Sequence, residues 1–179
     1  MAKKTETKIK ENGKENLMRE VRIEKLVLSC GGVKDVLEKS VKLLKKISHK
    51  TPTKRMSNKR IPGFGVRPKL EVGCMVTIRG EEAEKILKRL LVAIDNQLKK
   101  KQIEENHFAF GIPEYIEIPG EEYDREIGMM GFNATVVFAR KGKRVARKKI
   151  RRGKLPQKQR ISKEEIIKYM EDNFKTYIK

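Results

Sequence analysis

The sequence predicts one α+β domain, a mostly antiparallel sheet with helices packed on one face and long basic loops between elements. Three observations predict it. Leu70, Val72, Cys74, Val76 and Ile78 alternate with Glu71, Gly73, Met75, Thr77 and Arg79, the mark of a strand with one buried and one open face. Three stretches carry apolar residues at helical spacing, with lysines or acids on the opposite side. The order strand, helix, strand, helix, several strands, helix lacks the regular βα repeat of a parallel sheet.

Met1 to Asn16 is polar, of mixed charge, with nothing to bury, so a disordered tail is expected over 1–16 and a single domain over 17–179. Val21–Cys30 is β-branched and apolar enough for a strand, closed by Gly31-Gly32. Val33, Val36, Leu37, Val41, Leu44 and Ile47 then recur at helical spacing. Thr51-Pro52 stops that helix, because the residue before proline is pushed out of the α region. Pro62, Gly63, Gly65 and Pro68 break the next stretch too often for a core element, which predicts a long basic loop over 51–69.

Leu70, Val72, Cys74, Val76 and Ile78 form the buried row of the next strand. After Gly80, the acids Glu81, Glu82 and Glu84 suit a helix start, and Ala83, Ile86, Leu87, Leu90, Leu91, Ile94 and Leu98 give its apolar stripe. Lys99 to Asn106 is a polar break. His107–Ile112 and Tyr115–Ile118 are predicted as strands around Pro113, and Phe132–Arg140 as another half-buried strand. Ser162-Lys-Glu-Glu165 is a capping box opening a last helix, buried through Ile166, Ile167, Met170 and Phe174.

The chain has 179 residues and a net charge of +20, and that charge is unevenly placed. Lys39 to Leu70 holds 11 basic residues and Arg140 to Arg160 holds 12, with no acid in either stretch. Outside them acids outnumber bases, 24 to 21. A merely solvated surface would intersperse the signs, so these segments are read as polyanion-binding. The second, with Gly142, Gly153 and Pro156 and few apolar residues, is predicted as an extended arm over 140–160. Arg144, Arg147, Lys148, Arg151 and Arg152 are its expected phosphate contacts. A membrane surface would call for a basic helix with a bulky apolar face, and no apolar run reaches the roughly 18 residues needed to span a bilayer. The expected location is cytoplasmic.

Catalysis and metals find little support. Gly63-Phe-Gly65 lacks the third glycine and preceding strand of a dinucleotide fingerprint, and there is no Walker lysine motif, G-x-S-x-G or H-E-x-x-H. Cys30 and Cys74 sit in separate apolar runs outside any C-x-x-C, and are expected as reduced core thiols. His49 and His107 have no helical partner of ligand type. Glu121, Glu122, Asp124 and Glu126 could hold Mg²⁺ for a nuclease, but four carboxylates beside turn residues are more often charge-balancing surface. No cofactor is implied. Phe64, an aromatic among basic residues and glycines, either stacks on a base or tucks against the sheet edge.

Met18-Arg-Glu-Val-Arg-Ile-Glu-Lys-Leu-Val-Leu28, the Thr51-Pro52 loop ending in Phe64-Gly-Val-Arg67, Val76-Thr-Ile-Arg-Gly80, Phe108-Ala-Phe-Gly-Ile112, Tyr123-Asp-Arg-Glu-Ile-Gly128 and Arg160-Ile-Ser-Lys-Glu-Glu165 follow one another in order. Together they resemble the universal large-subunit ribosomal protein family that binds 5S ribosomal RNA, number five in bacteria and number eleven in eukaryotes. The likeness runs from about Met18 to Phe174, and the basic arm and capping box resemble the archaeal and eukaryotic branch.

The resemblance implies a structural constituent of the ribosome, with no enzymatic activity. Such a protein holds 5S rRNA against large-subunit rRNA in the central protuberance, reaches the P-site tRNA with a loop, and bridges to the small-subunit head, touching neighbouring ribosomal proteins at both places. The family's 5S-contacting positions fall at Ser29, Lys50, Phe64 and Thr77; many members have Asn in place of Ser29 and Gln in place of Lys50. Alternation adds Arg79, on the face opposite Val76 and Ile78. Lys54, Arg55, Lys59 and Arg60 fall on the tRNA-reaching loop, and Glu121, Glu122, Asp124 and Glu126 on the part that bridges subunits. Those acids would be repelled by phosphate and are expected to point away from RNA. The competing classes are a metal-dependent RNA-processing nuclease and a free-standing RNA chaperone.

Overall fold

The first strand sets the frame, because its alternate residues are driven to opposite fates. In β1 (Val21–Gly31), Leu26, Leu28 and Cys30 are buried, while Lys25, Val27 and Ser29 between them stay partly accessible. The computed structural model describes residues 17–179, so the tail expected over 1–16 lies outside the described residues.

Helix α1 (Asp35–Ser48) packs Leu37, Leu43, Leu44 and Ile47 into the core. Its buried Ser40 and Ser48 hydroxyls donate to the carbonyls one turn back, Val36 at 2.7 Å and Leu44 at 2.6 Å, so neither is left unpaired. His49 then takes a left-handed conformation and ends the helix before Thr51-Pro52. Strand β2 (Thr53–Met56) is an exposed edge strand paired with β3 (Glu71–Ile78). Helix α2 (Glu81–Val92) follows with three acids in its first turn, then β4 (Gln97–Leu98), β5 (Ile103–Glu104) and β6 (His107–Ile112). Strand β7 (Phe132–Arg140), the short helix α3 (Arg144–Arg147), helix α4 (Lys163–Phe174) and β8 (Tyr177–Ile178) complete the order.

The main sheet runs β2-β3-β1-β7-β6-β5, with every neighbouring pair antiparallel. A separate two-stranded parallel sheet joins β4 to β8. One face of the main sheet presents Leu26, Leu28, Cys74, Val76, Ile78, Phe108, Phe110, Ala134, Val136 and Phe138, and the buried stripes of α1, α2 and α4 join them in one core. Phe108 stacks on Phe110 and on Phe138, with centroids 5.9 and 5.8 Å apart. Each such buried side chain contributes about 1.5–3 kcal/mol relative to exposure. The α+β reading, a mostly antiparallel sheet with helices on one face, is the observed architecture.

Four local expectations differ. Tyr115–Glu117 is a 3₁₀ turn and not a strand; Pro113 and Pro119 flank it, and a short apolar run does not distinguish the two periods. Tyr115 is fully buried there. The polar break contains β4, a 3₁₀ turn over Lys100–Gln102 and β5, so Leu98 lies beyond α2 on a strand. The loop over 51–69 starts as β2, and its base is closed by Ser57 N donating to Leu70 O at 2.8 Å and Lys69 N to Ser57 O at 2.7 Å. The arm begins inside β7: Arg140 is 9% exposed and belongs to the core margin, and the next turn is helical. Cys30 and Cys74 are free and buried, and they face each other across β1 and β3.

Candidate nucleic-acid interface

Antiparallel register lines up the open face of the sheet in rows. Thr53, Met75, Ser29, Asn133 and Gly111 form one row across five strands; Thr77, Val27, Thr135 and Ala109 form the next. None of these side chains is a carboxylate: Thr53, Ser29, Asn133, Thr77 and Thr135 are polar, Gly111 and Ala109 are small, and Met75 and Val27 are apolar. Lys25 and His107 follow along the same face, each opposite Val137, and exposed Arg79 extends the Thr77 strand. Among the described residues Glu71 and Glu104 stand at the margins, Glu71 paired with Lys54 at 2.7 Å and Glu104 lying 3.5 Å from the His107 ring. The two rows offer hydroxyl and amide groups with Lys25 and Arg79 beside them, and a polyanion meets no carboxylate within the rows.

Ser29 and Thr77 therefore lie in adjacent rows of one face, with Arg79 beyond them. Lys50 does not join them. It leaves the end of α1 toward the helix layer and pairs with Glu82 of α2 at 2.5 Å; that hydrogen bond holds the Glu82 carboxyl below its ordinary range. Phe64 is 80% exposed on a 3₁₀ turn, Pro62–Phe64, that Gly65 closes in the left-handed region. Ile61 and Val66 bridge across the base of that turn, and buried Val66 anchors it. The ring is held outward, which leaves the stacking reading and removes the tucked one. Sequence reasoning misses Asn133 and Thr135, although the alternation that finds Thr77 finds them equally.

In the loop, Lys54 is tied to Glu71, while Arg55, Lys59 and Arg60 are exposed and form no ion pair among the described residues. In the arm, Glu24 is the centre of a small cluster. It sits at the bulge where the β1 and β7 register shifts, is 9% exposed, and pairs with Lys143 at 2.6 Å and with Arg147. Two residues after Arg140, Gly142 takes a positive φ that turns the chain back toward β1. Arg144, Lys148, Arg151 and Arg152 are exposed beyond this tether, and the Arg152 guanidinium donates to the Ala146 carbonyl at 2.6 Å.

The acidic segment lies on the other side of the molecule, against the helices. Glu126 pairs with Lys42 of α1 at 2.6 Å, the Glu122 carbonyl accepts from Lys46 at 2.9 Å, and Glu121, only 8% exposed, pairs with Arg89 of α2 at 2.8 Å. Asp124 accepts from the Glu126 backbone, while its own N–H donates to the buried Tyr115 hydroxyl at 2.7 Å. Glu121 and Glu126 thus pair with separate cations and Asp124 closes a turn, so the acids do not converge on one point.

Residues 71–169 match the model of the C-terminal region of the ribosomal protein L5 family. The chain is 43% identical to the large ribosomal subunit protein uL5 of Nanoarchaeum equitans, over 88% of this chain and 95% of that protein. It is 40% identical to the uL5 protein of Methanobrevibacter smithii over 89% and 95%, and 37% identical to that of Archaeoglobus fulgidus over 90% and 92%. A rim of cations around a carboxylate-free sheet face, a domain-wide match and relatives of nearly equal length agree: the chain belongs to the ribosomal protein L5 family.

Proposed function

We propose that the protein is a structural constituent of the large ribosomal subunit that grips 5S rRNA with the open face of its sheet. Ser29, Thr77 and Arg79 make the central contacts and Phe64 stacks at the margin. The observation that carries this reading is the face itself: two rows rich in hydroxyl and amide side chains and without a carboxylate, flanked by Arg79, Lys25 and the basic loop. Lys50 contributes to 5S binding only after releasing Glu82.

The other surfaces take the remaining partners. Arg55, Lys59 and Arg60, with Lys54 at their base, face the P-site tRNA through phosphate contacts that position without reading sequence. Arg144, Arg147, Lys148, Arg151 and Arg152 follow large-subunit rRNA. The acidic segment, seated on the helix layer away from the open face, meets basic proteins of the small-subunit head through Glu122, Asp124 and Glu126. Members of this family are structural and not enzymatic, and the protein works in the cytoplasm as part of the ribosome.

Filter binding of the purified chain to 5S rRNA, paired with sedimentation of the native protein, tests the reading. Specific binding and co-migration with large subunits are the expected results. A protein that sediments mainly free of large subunits would overturn the proposal.

A further inference from the structure

Tyr177 is 73% exposed although its neighbour Ile178 packs against the core. The parallel pairing of β8 with β4 sets this contrast: Ile178 lies opposite Leu98, which is 1% exposed, and Tyr177 lies opposite exposed Gln97. Tyr177 N donates to Asn96 O at 2.8 Å, Lys179 N to Leu98 O at 2.9 Å and Lys100 N to Lys179 O at 2.8 Å. The last two bonds set Lys179 beside the 3₁₀ turn that carries Lys99, Lys100 and Lys101, with its ammonium donating to Gln97 Oε1 at 2.8 Å, and Lys175 lies two residues before Tyr177 at the end of α4.

All five lysines are exposed, and none forms an ion pair among the described residues. Elsewhere Lys42, Lys50, Lys54, Lys141 and Lys143 each have a carboxylate partner. Residues 95–102 and 175–179 together hold one acidic side chain, Asp95. A lone exposed tyrosine needs no explanation, but an exposed ring on a short strand whose own flanks and paired segment carry five lysines without a carboxylate partner has the make-up of a single-stranded nucleic-acid site. The turn runs directly into β5, one edge of the main sheet, whereas the loop bearing Phe64 leaves from β2, the opposite edge. Five strand spacings separate those edges, about 24 Å.

We propose that Tyr177, with Lys99, Lys100, Lys101, Lys175 and Lys179, forms a second RNA site, which takes a single-stranded segment with one base stacked on the Tyr177 ring. The inference rests on the reading of the chain as an RNA-binding protein. The absence of arginine forks makes the site indifferent to sequence, with lysines serving as point charges on phosphates.

The test uses the full chain, single-stranded oligouridine of 20 nucleotides, and intact 5S rRNA as a separate arm. Tyr177→Ala should weaken oligouridine binding about fivefold or more, while Tyr177→Phe, which keeps the stacking face, stays near wild type. The Lys99→Gln, Lys100→Gln, Lys101→Gln triple variant should lower the magnitude of the salt slope for oligouridine by about 2, near 0.7 per phosphate contact. Unchanged oligouridine affinity in Tyr177→Ala and in the triple variant overturns the site, as do equal losses in Tyr177→Ala and Tyr177→Phe. A wild-type chain that fails to bind 5S rRNA overturns the proposed function instead, and the oligouridine arm still decides the site.

Discussion

Arg140 Nη2 lies between the two carboxylate oxygens of Glu165, 2.6 Å from one and 2.7 Å from the other. Glu165 also accepts from the Ser162 backbone at 3.0 Å as the return half of the capping box, so one side chain joins the end of β7 to the start of α4. Burial would raise the Glu165 carboxyl, but the bonds from Arg140 and Ser162 outweigh it and hold the pKa below its ordinary value of 4.5. A lowered folded pKa contributes stability that is present above the unfolded value and is lost as pH falls through the folded one. Glu165→Gln should therefore unfold at lower denaturant than wild type at pH 7, with the gap closing as pH drops below about 4. Glu165→Ala, which strands a nearly buried guanidinium and opens the cap, should cost about 3 kcal/mol by equilibrium denaturation at pH 7.

Phe64 should matter to RNA and not to folding. Phe64→Ala removes an 80% exposed ring and should leave the unfolding midpoint unchanged, while weakening 5S rRNA binding by about 1–3 kcal/mol in filter binding at matched salt. Thr77→Ala should lower the same affinity. Unchanged binding in both single variants would contradict the assignment of the open face.

The arm should divide into two parts. Replacing Lys148, Arg151 and Arg152 with Gln should reduce the magnitude of the salt slope for rRNA binding by roughly 0.7–0.9 for each phosphate no longer neutralised. Glu24→Gln acts in the other direction, because it frees Lys143 and Arg147 from their carboxylate. The expected result is faster tryptic cleavage within 143–152 in the RNA-free protein, with little change once rRNA is bound.

The acidic segment should separate stability from assembly. Glu121→Gln removes a largely buried partner of Arg89 and should cost about 1–2 kcal/mol of stability, measured by denaturation. Replacing Glu122 and Glu126 with Gln should leave 5S binding unchanged and weaken association of the two ribosomal subunits at low salt, measured by light scattering. Loss of RNA affinity in that variant would reverse the proposed orientation of the domain.

The two thiols should be chemically silent until the chain unfolds. Burial, followed by the neighbouring Cys30, pushes the Cys74 thiol up to about 11, so at pH 8 its reactive thiolate is scarce. A thiol reagent should label neither cysteine in the native protein and both in denaturant.

Much of this architecture follows from period alone. The alternation from Leu70 to Arg79 and the helical stripes around Leu44, Leu87 and Ile166 predict which faces meet, because burial follows the same two periods. The open-face placement of Thr77 and Arg79 is legible for that reason. Lys50 is not: whether its ammonium reaches the sheet or Glu82 depends on how the start of α2 packs beside the end of α1, which no local pattern encodes. Glu24 and Arg147 lie 123 positions apart and meet only because β1 pairs with β7. Tyr115 falls on the wrong side of the strand and turn distinction because four apolar-rich residues between prolines satisfy either period. The patch around Tyr177 needs β8 to return beside β4, a long-range parallel pairing without a turn signal.

Seating the acidic segment on α1 and α2 gives the molecule a built-in electrical axis. Lys42 and Arg89 on the helix side are paired with carboxylates of that segment, while Arg55, Lys59 and Arg60 of the loop, Lys148, Arg151 and Arg152 of the arm, and Arg79 have no such partner among the described residues. A polyanion at a distance therefore exerts a torque as well as a pull, turning the domain so that its sheet leads before any atom touches. The orientation is chosen during diffusion, and fewer encounters are wasted on the wrong side. Added salt shortens the reach of that torque to the Debye length, about 8 Å at physiological ionic strength, so it should slow capture more than it hastens escape.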